Sequence, residues 1–328
     1  MRVLVTGGLG FIGSNFILRI IDKYSDFSII NLDACLPGSN KQNLNELKIK
    51  NYSYVKGNIT NKKLVERLVS RVDVVINFAA ESHVDRSIVN PRPFIDSNII
   101  GIYTILEAIR KHKKKLIQIS TDEVFGSLKS QSAHEKFPFN PSSPYAASKA
   151  SAETLVKSYT TTYDCDAIIT RCTNNYGPRQ SPEKLIPKTI LLAEKNKKIP
   201  IYGTGKNIRD WIFVLDHCDA ILRVLFKGKK GESYNISAQN EIDNLTIVKK
   251  ILSIMKKPKG LIQFTNDRPG HDFRYSLDSS KISSNLGWKP SHSFEEGLKH
   301  TIEWYLENKK WRKNIPSKEI KTISWKTR

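Results

Sequence analysis

A glycine-rich turn near the start of the chain constrains its fold more than any other feature. Residues 2–5 predict a short buried strand, residues 6–14 form the turn, and a helix is expected through about Tyr24. A second predicted strand, residues 28–32, ends at Asp33. A strand, a glycine-rich turn, a helix and a strand that ends in an acid are typical of a dinucleotide-binding βαβ unit.

The composition of this turn indicates what it binds. Gly7, Gly10 and Gly13 let the backbone approach a pyrophosphate closely, and the N-terminus of the following helix offers N–H groups to it. Asp33 is expected to accept hydrogen bonds from the hydroxyls of an adenosine ribose. Because an acid at this position repels a 2′-phosphate, the sequence predicts NAD rather than NADP as the cofactor.

Strands and helices alternate regularly up to about residue 175. Further strands are predicted at residues 52–56, 72–78, 115–120 and 167–171, and helices at residues 62–70, 93–112 and 145–163. Parallel strands need helical crossovers between them. The alternation therefore predicts an α/β fold with a Rossmann-type, doubly wound parallel sheet.

The pattern becomes less regular after about residue 175. Short strands are expected near residues 199–202, 211–214 and 232–236, among helices near residues 184–196, 215–226, 243–256 and 293–308. We predict an NAD-binding Rossmann domain over residues 1–175, which carries the catalytic residues. A smaller mixed α/β substrate-binding lobe follows over residues 176–310, with some exchange of chain between the lobes, and then a basic tail over residues 311–328. The cleft between the lobes is the expected ligand site.

The charge balance suits an anionic ligand. The chain has 53 lysines and arginines against 32 acidic residues, a net charge of +21. Such a charge favours an anionic nucleotide and would also attract polyanions. Because the excess is spread along the chain and rests mainly on lysine, a nucleic-acid partner is not favoured.

Cysteine spacing and hydropathy restrict the expected location. The four cysteines, at positions 35, 165, 172 and 218, form no C-x-x-C pair, so neither a zinc site nor a disulfide scaffold is indicated and no metal is expected. No apolar run approaches a membrane-spanning length, and the first strand begins at Arg2, which leaves no room for a signal peptide. We expect a cytoplasmic protein with no membrane partner.

Two short segments carry the predicted chemistry. Residues 120–126 read Ser-Thr-Asp-Glu-Val-Phe-Gly and follow a buried strand, so Asp122 and Glu123 are expected at the sheet edge where α/β proteins bind ligands. Tyr145 and Lys149 are four residues apart in a predicted helix and therefore lie on one face of it. Since a nearby ammonium favours the phenolate, Tyr145 is a candidate base beside a pair of carboxylates.

Further motifs, taken together with these two segments, carry a resemblance to a known family. They are Ala-Ala-Glu-Ser-His-Val-Asp-Arg-Ser at residues 79–87, Asn-Asn-Tyr-Gly-Pro at 174–178, Pro-Glu-Lys-Leu-Ile-Pro at 182–187, Asn-Ile-Arg-Asp-Trp at 207–211 and Asp-Arg-Pro-Gly-His at 267–271. Over about residues 1–310 the chain resembles the extended short-chain dehydrogenase/reductase family. Within it, the chain is most similar to the NAD-dependent nucleotide-sugar 4,6-dehydratases.

The resemblance implies a lyase reaction with a distinct task for each residue. Tyr145, assisted by Lys149, takes the proton of the sugar O4 hydroxyl while the C4 hydride moves to NAD, and Thr121 holds O4. Glu123 removes the C5 proton and Asp122 protonates the departing C6 hydroxyl. The hydride then returns to C6, which gives a 4-keto-6-deoxy sugar of the kind used in deoxysugar (for example rhamnose) biosynthesis. Adjacent carboxylates suit this division because like charges push their pKa values apart.

The resemblance also implies the residues that bind the two ligands. For the cofactor they are Gly7, Gly10, Phe11, Ile12, Gly13, Asp33, Asn58, Ile59, Ala79, Ala80, Ser97, Tyr145, Lys149 and Asn175. For the nucleotide-sugar substrate they are Ser82, Thr121, Asn174, Glu183, Lys184, Leu185, Pro200, Tyr202, Arg209, Asn244, Arg268 and His271. Pro200 and Tyr202 would flank the base, and Arg209 would pair with phosphate. A homodimer through helices 93–112 and 144–163 is also implied.

The sequence leaves several alternatives open. The preferred substrate is dTDP-glucose, but UDP-glucose differs by one methyl group on the base, which is worth only about 1–3 kcal/mol in a pocket. The 4-epimerases and decarboxylases share the fold, yet epimerases carry small hydroxyl residues where this chain has Asp122 and Glu123. A non-catalytic RNA-binding member of the fold would suit the charge but has no need of the intact acid–base residues.

Overall fold

The structure, a computed structural model, describes residues 1–45, 47, 49–267 and 269–313. Its strands are β1 (Arg2–Thr6), β2 (Ser28–Asp33), β3 (Tyr52–Lys56), β4 (Val74–Asn77), β5 (Lys115–Thr121), β6 (Ala167–Cys172), β7 (Asn174–Tyr176), β8 (Ile199–Tyr202), β9 (Ile208–Phe213), β10 (Ser233–Ile236), β11 (Glu241–Asp243) and β12 (Ile262–Thr265). Its α-helices are α1 (Phe11–Lys23), α2 (Lys62–Val69), α3 (Val84–Val89), α4 (Arg92–Ile95), α5 (Gly101–His112), α6 (Pro144–Tyr163), α7 (Leu185–Glu194), α8 (Val214–Lys227), α9 (Asn244–Ile254), α10 (Ser280–Leu286), α11 (Phe294–Glu307) and α12 (Lys309–Lys313).

Seven parallel strands form the large sheet, in the order β10-β6-β5-β4-β1-β2-β3. The chain builds outward from β1 through β2 and β3, and then restarts on the other side of β1 with β4. This reversal between β1 and β4 is the topological switch point, and the crevice at the carboxyl ends of the strands is where such sheets bind ligands. The predicted doubly wound α/β sheet is confirmed.

Both faces of the large sheet are covered by helices, because the side chains of each strand alternate between two apolar cores. On β5, for example, Ile117 and Ile119 pack with α1 and α8 on one face, whereas Leu116 packs with α2, α5 and α6 on the other. Burial on both sides explains why these strands are almost continuously apolar.

The smaller lobe holds a three-stranded mixed sheet, β11-β9-β7, and a parallel pair, β12-β8, packed with α7, α9 and α11. The lobes exchange chain: β10, which follows residue 176, extends the large sheet beside β6, and α8 packs on α1. The division of the chain into domains at residue 175 stays a prediction. A division at that residue would separate β10 and α8 from the large sheet to which they belong or on which they pack.

Some elements differ from those expected. The helix predicted over residues 93–112 begins at Arg92 and contains a π-helical turn at Asp96–Ile100, a feature often found near functional sites. The turn brings the Asn98 amide to the carbonyl of Glu81 (3.0 Å) and the hydroxyl of Ser148 (2.8 Å). Strands β7, β11 and β12 and helices α3 and α10 were not predicted, since each is short and lacks a clear period.

Two sequence predictions concern residues outside those described: Arg268, and residues 314–328 of the basic tail. Among the residues that the structure does describe, no helix combines the length and the apolar character needed to cross a bilayer.

Candidate active site

A cleft lies along the carboxyl ends of the large sheet and continues under the smaller lobe. It consists of a larger cavity of about 310 Å³ and a smaller cavity of about 190 Å³. The two cavities share part of their walls, namely His83, Glu123, Asn174, Asn175, Gln180, Glu183 and Lys184. A ligand in one cavity therefore lies next to a ligand in the other.

The glycine-rich turn forms the floor of the larger cavity. Gly7 adopts φ +70°, and a Cβ on it would lie 2.6 Å from the backbone nitrogen of Ala79, so only glycine fits there. Gly10 precedes α1 and makes no side-chain cap, which leaves the first N–H groups of a 13-residue helix facing the cavity. Such donors fit an anionic pyrophosphate.

All residues predicted to bind the cofactor line this larger cavity. They are Gly7, Gly10, Phe11, Ile12, Gly13, Asp33, Asn58, Ile59, Ala79, Ala80, Ser97, Tyr145, Lys149 and Asn175. The carboxylate of Asp33 ends β2 and accepts hydrogen bonds from the backbone of Leu9 (3.0 Å) and Cys35 (2.8 Å) and from Ser39 (2.8 Å). It thus orders the two loops that border the cavity as well as presenting a negative charge to it.

The unequal constraints on two glycines give a testable prediction. Gly7→Ala should lower the free energy of unfolding by about 2 kcal/mol, because a left-handed φ and a backbone clash act together. Gly10→Ala is the matched control: its φ is −73° and the new Cβ meets only the carbonyl of Gly7, at 3.2 Å. We expect it to cost less than about 1 kcal/mol in urea unfolding. Equal losses in the two variants would contradict this account of the turn.

Tyr145 and Lys149 lie on the cavity side of α6, but they do not form the expected pair. The Lys149 ammonium donates to the carbonyl of Ile119 (2.6 Å), and burial lowers the pKa of Lys149 to about 8. Burial, followed by the charge of Glu123, raises the pKa of Tyr145 well above its usual range, whereas a hydrogen bond with Thr121 acts in the lowering direction. In the chain by itself, desolvation dominates the pKa of Tyr145, and the Lys149 ammonium points at a backbone carbonyl. The lowering of the Tyr145 pKa by Lys149 together with the nicotinamide cation stays a prediction.

The lowered pKa of Lys149 predicts how stability depends on pH. Because the pKa is about 8 in the native state and about 10.4 in the unfolded state, the unfolded state binds more protons between these values and stability rises with pH there. Lys149→Met removes this dependence. We expect the difference in the free energy of unfolding, wild type minus Lys149→Met, to rise by up to about 3 kcal/mol between about pH 7.5 and pH 10.5, as measured by urea unfolding. The exposed Lys63→Met should show a constant difference, and a constant difference for Lys149→Met would refute the prediction.

Thr121 ends β5, Asp122 and Glu123 follow it directly, and all three line the larger cavity. The Thr121 hydroxyl donates to Oδ1 of Asp122 (3.0 Å), while Oδ2 of Asp122 is buried and has no hydrogen-bond partner among the described residues. Burial and then the charge of Glu123 raise the pKa of Asp122 well above its usual range. Burial therefore favours the protonated form of Asp122, whereas Glu123 is only half-buried and lines both cavities.

Most residues predicted to bind the substrate line the smaller cavity. They are Asn174, Glu183, Lys184, Leu185, Pro200, Tyr202, Arg209, Asn244 and His271; Ser82 and Thr121 line the larger one. Some of these side chains also hold the fold. The Arg209 guanidinium donates to the carbonyls of Ile208 (2.7 Å), Asp272 (2.9 Å) and Phe273 (3.2 Å). These bonds orient Arg209 at the cavity wall.

Several side chains at the site were not identified from the sequence. Two of them are Arg86 and His83, which contact the carboxylate of Glu183 at 2.7 Å and 3.1 Å. Both belong to the motif at residues 79–87, which could have indicated them. A third is Asp85, which accepts a hydrogen bond from Tyr202 (3.2 Å) in the wall of the smaller cavity. Tyr275 also lines the smaller cavity, and no motif pointed to it.

Comparisons with known proteins agree with this geometry. A family model described as GDP-mannose 4,6 dehydratase matches residues 4–301. A dTDP-glucose 4,6-dehydratase from Mycobacterium tuberculosis is 44% identical over 315 residues, which cover 95% of each chain. The solved structure of dTDP-glucose 4,6-dehydratase from Bacillus anthracis in complex with NAD has a TM-score of 0.91 and 44% identity, over 96% of this chain and all of that one.

A second solved structure, DesIV (dTDP-glucose 4,6-dehydratase) from Streptomyces venezuelae with NAD bound, has a TM-score of 0.92 and 41% identity. It covers 95% of this chain and 98% of that chain. The resemblance inferred from the sequence motifs is confirmed over almost the whole length of the chain, and the chain belongs to the GDP-mannose 4,6 dehydratase family.

Proposed function

We propose that the chain is an NAD-dependent dehydratase that converts dTDP-glucose to dTDP-4-keto-6-deoxyglucose and water. The observation that carries the proposal is the adjacent pair of carboxyl groups, the buried Asp122 and the more exposed Glu123, which line the same cavity as Tyr145. Oxidation at C4 alone needs only one base. The carboxyl pair adds the acid and the second base that an elimination requires.

We assign the residues the roles that the family resemblance implies, and the positions of their side chains support these roles. Tyr145 takes the O4 proton, and Lys149, held by the Ile119 carbonyl, sits one helical turn away. Glu123 removes the C5 proton once C4 is a ketone, since the carbonyl acidifies that position. The electron pair of the C5–H bond forms the C5=C6 double bond as the C6–O bond breaks, and Asp122 gives its proton to the leaving hydroxyl.

Bound NAD would supply the positive charge that favours the Tyr145 phenolate, accept the C4 hydride and give it back to C6. The helix N-terminus at Gly10 and the carboxylate of Asp33 are the groups that would hold its pyrophosphate and ribose.

Proton balance gives Thr121 a second task. After one turnover Glu123 has returned its proton to C5, Tyr145 holds the proton from O4, and Asp122 lacks the proton that left with water. The Thr121 hydroxyl hydrogen-bonds both Tyr145 and Asp122, so it offers the path that restores the starting state.

Separate incubations with dTDP-glucose and UDP-glucose test the proposal. We expect a 4-keto-6-deoxy product from dTDP-glucose, and a kcat/KM about 5–150-fold higher than for UDP-glucose, since one methyl group is worth about 1–3 kcal/mol. Absence of product from dTDP-glucose would overturn the proposed function. A higher kcat/KM for UDP-glucose would move the proposal to the uridine nucleotide.

We further infer a homodimer through the helical run 92–112 and α6. Four large apolar side chains there, Ile95, Ile100, Tyr103 and Tyr163, are 44–49% exposed. Light scattering should give twice the mass of one chain, and Tyr103→Glu should give a single chain, because a buried charge is costly. Phe264→Glu, at an exposed site on β12, is the control. A wild-type monomer at micromolar concentration would contradict the inference.

The cytoplasmic location stays a prediction, supported by four free thiols.

A further inference from the structure

A buried phenol connects two carboxylates beside the reacting centre. The hydroxyl of Tyr275, in the segment after β12, donates to Oδ2 of Asp272 (2.6 Å) and lies 3.5 Å from Oε2 of Glu123. Tyr275 is 2% exposed, and its ring lies under the guanidinium of Arg209, 4.3 Å from the ring centroid. Asp272 also accepts a hydrogen bond from Ser142, just before α6. The phenol is therefore held by Asp272 and Arg209, and its hydroxyl lies beside Glu123.

Tyr275 keeps its proton in this environment. Burial and the negative charges of Glu123 and Asp272 raise its pKa well above the usual range, and the Arg209 cation acts in the opposite direction. A neutral phenol has one proton to donate and lone pairs with which to accept. It can thus donate to one carboxylate while it accepts from the other.

We propose that Tyr275 is a positioning residue for Glu123 that hydrogen-bonds its carboxyl group in both protonation states. When Glu123 is ionised, the phenol can turn its proton toward that carboxylate. When Glu123 has taken the C5 proton, the new carboxylic acid can donate to the phenol oxygen while the phenol donates to Asp272. The proton stays on Glu123 in a fixed orientation until it returns to C5. This inference rests on the proposed function.

Two other titratable groups lie next to Glu123. Asp122 precedes it in the chain, Tyr145 faces it from α6, and the charge of Glu123 acts on the pKa of each. In the chain without cofactor, burial favours the neutral form of each. Arg209, on β9, acts on Asp122 and Tyr275. The Tyr275 hydroxyl is the neutral donor and acceptor placed next to the Glu123 carboxyl group.

Tyr275→Phe removes only the hydroxyl and keeps the ring under Arg209. In the full-length enzyme with NAD and dTDP-glucose we expect kcat to fall about 10–100-fold with KM unchanged. C4 oxidation should proceed, so the 4-ketone that still carries its C6 hydroxyl, together with reduced cofactor, accumulates in quenched samples. Tyr176→Phe is the matched control, because it also removes a buried hydroxyl bond (3.1 Å, to the Phe294 carbonyl) outside the cleft. Tyr176→Phe should lower the free energy of unfolding without changing the ratio of accumulated 4-ketone to product.

Each outcome decides the question. A wild-type kcat without accumulated ketone in Tyr275→Phe, or a raised KM with kcat retained, would overturn the positioning role. If Tyr275→Phe fails to bind dTDP, Asp272→Ala serves as the second variant, because it removes the carboxylate to which the phenol donates. It should show the same accumulation of the 4-ketone. A wild-type ratio of 4-ketone to product in Asp272→Ala would overturn the proposal. Wild-type enzyme that makes no product from dTDP-glucose would instead overturn the proposed function, and this inference with it.

Discussion

Glu123→Gln should stop the reaction after C4 oxidation. The substitution keeps the size of the side chain but removes the base that takes the C5 proton, so product formation should fall about 10²–10⁴-fold. Tyr145 and Lys149 remain in place, and the 4-ketone that retains its C6 hydroxyl should form in an amount comparable to the enzyme. Quenched-flow samples analysed by mass spectrometry measure both species.

Asp122→Asn should give a related but distinguishable result. The acid that protonates the C6 hydroxyl is lost, yet Glu123 can still exchange the C5 proton with solvent. We therefore expect a ketone that carries solvent deuterium at C5 in D₂O, which Glu123→Gln should lack. The exposed Glu307→Gln, outside the cleft, is the control for charge removal. Normal turnover in either active-site variant would refute the division of labour between the two carboxyl groups.

Removal of the Arg171 guanidinium should destabilise the fold more than Gly7→Ala or Lys149→Met. Arg171 on β6 and Glu153 on α6 are fully buried, and the guanidinium donates to both carboxylate oxygens at 2.6–3.0 Å. Arg171 also donates to the carbonyl of Glu135 (3.2 Å) and packs over the Phe125 ring at 5.0 Å. Arg171→Met strands a buried carboxylate, so we expect a loss of about 3–5 kcal/mol in urea unfolding.

Two further variants separate this explanation from simple loss of packing. Arg171→Met combined with Glu153→Leu removes both charges and should recover most of the stability, because the desolvation cost disappears with the unpaired ion. Lys111→Met breaks the exposed ion pair with Glu66 and should cost at most about 1 kcal/mol. A loss below about 1 kcal/mol for Arg171→Met would contradict the stabilising role of this buried pair.

The clustering of the candidate catalytic residues was predictable because parallel strands bring their carboxyl ends to one edge. The turn after β1, the Thr121–Glu123 segment at the end of β5 and the residues after β6 meet there for that reason alone. The positions of Tyr145 and Lys149 followed from helical periodicity. The family resemblance then supplied the order of the steps.

The sequence could not predict the electrostatics or the supports of the site. The pKa of Tyr145 depends on how deeply α6 buries the phenol and on where the Lys149 ammonium points, and neither follows from a four-residue spacing. Tyr275 and Asp272 lie in a segment without a long regular element, and the carbonyls there that bind Arg209 fix its position. Long-range contacts of this kind leave no local pattern in the sequence.

The fate of the hydrogen at C4 tests the central claim most directly. With dTDP-glucose that carries deuterium at C4, the proposed reaction moves that deuterium to C6 while water is lost, because the hydride removed at C4 is returned to C6. NMR of the product should therefore show deuterium in the C6 methyl group and a ketone at C4. Deuterium retained at C4 in an unchanged or epimerised sugar would contradict the account.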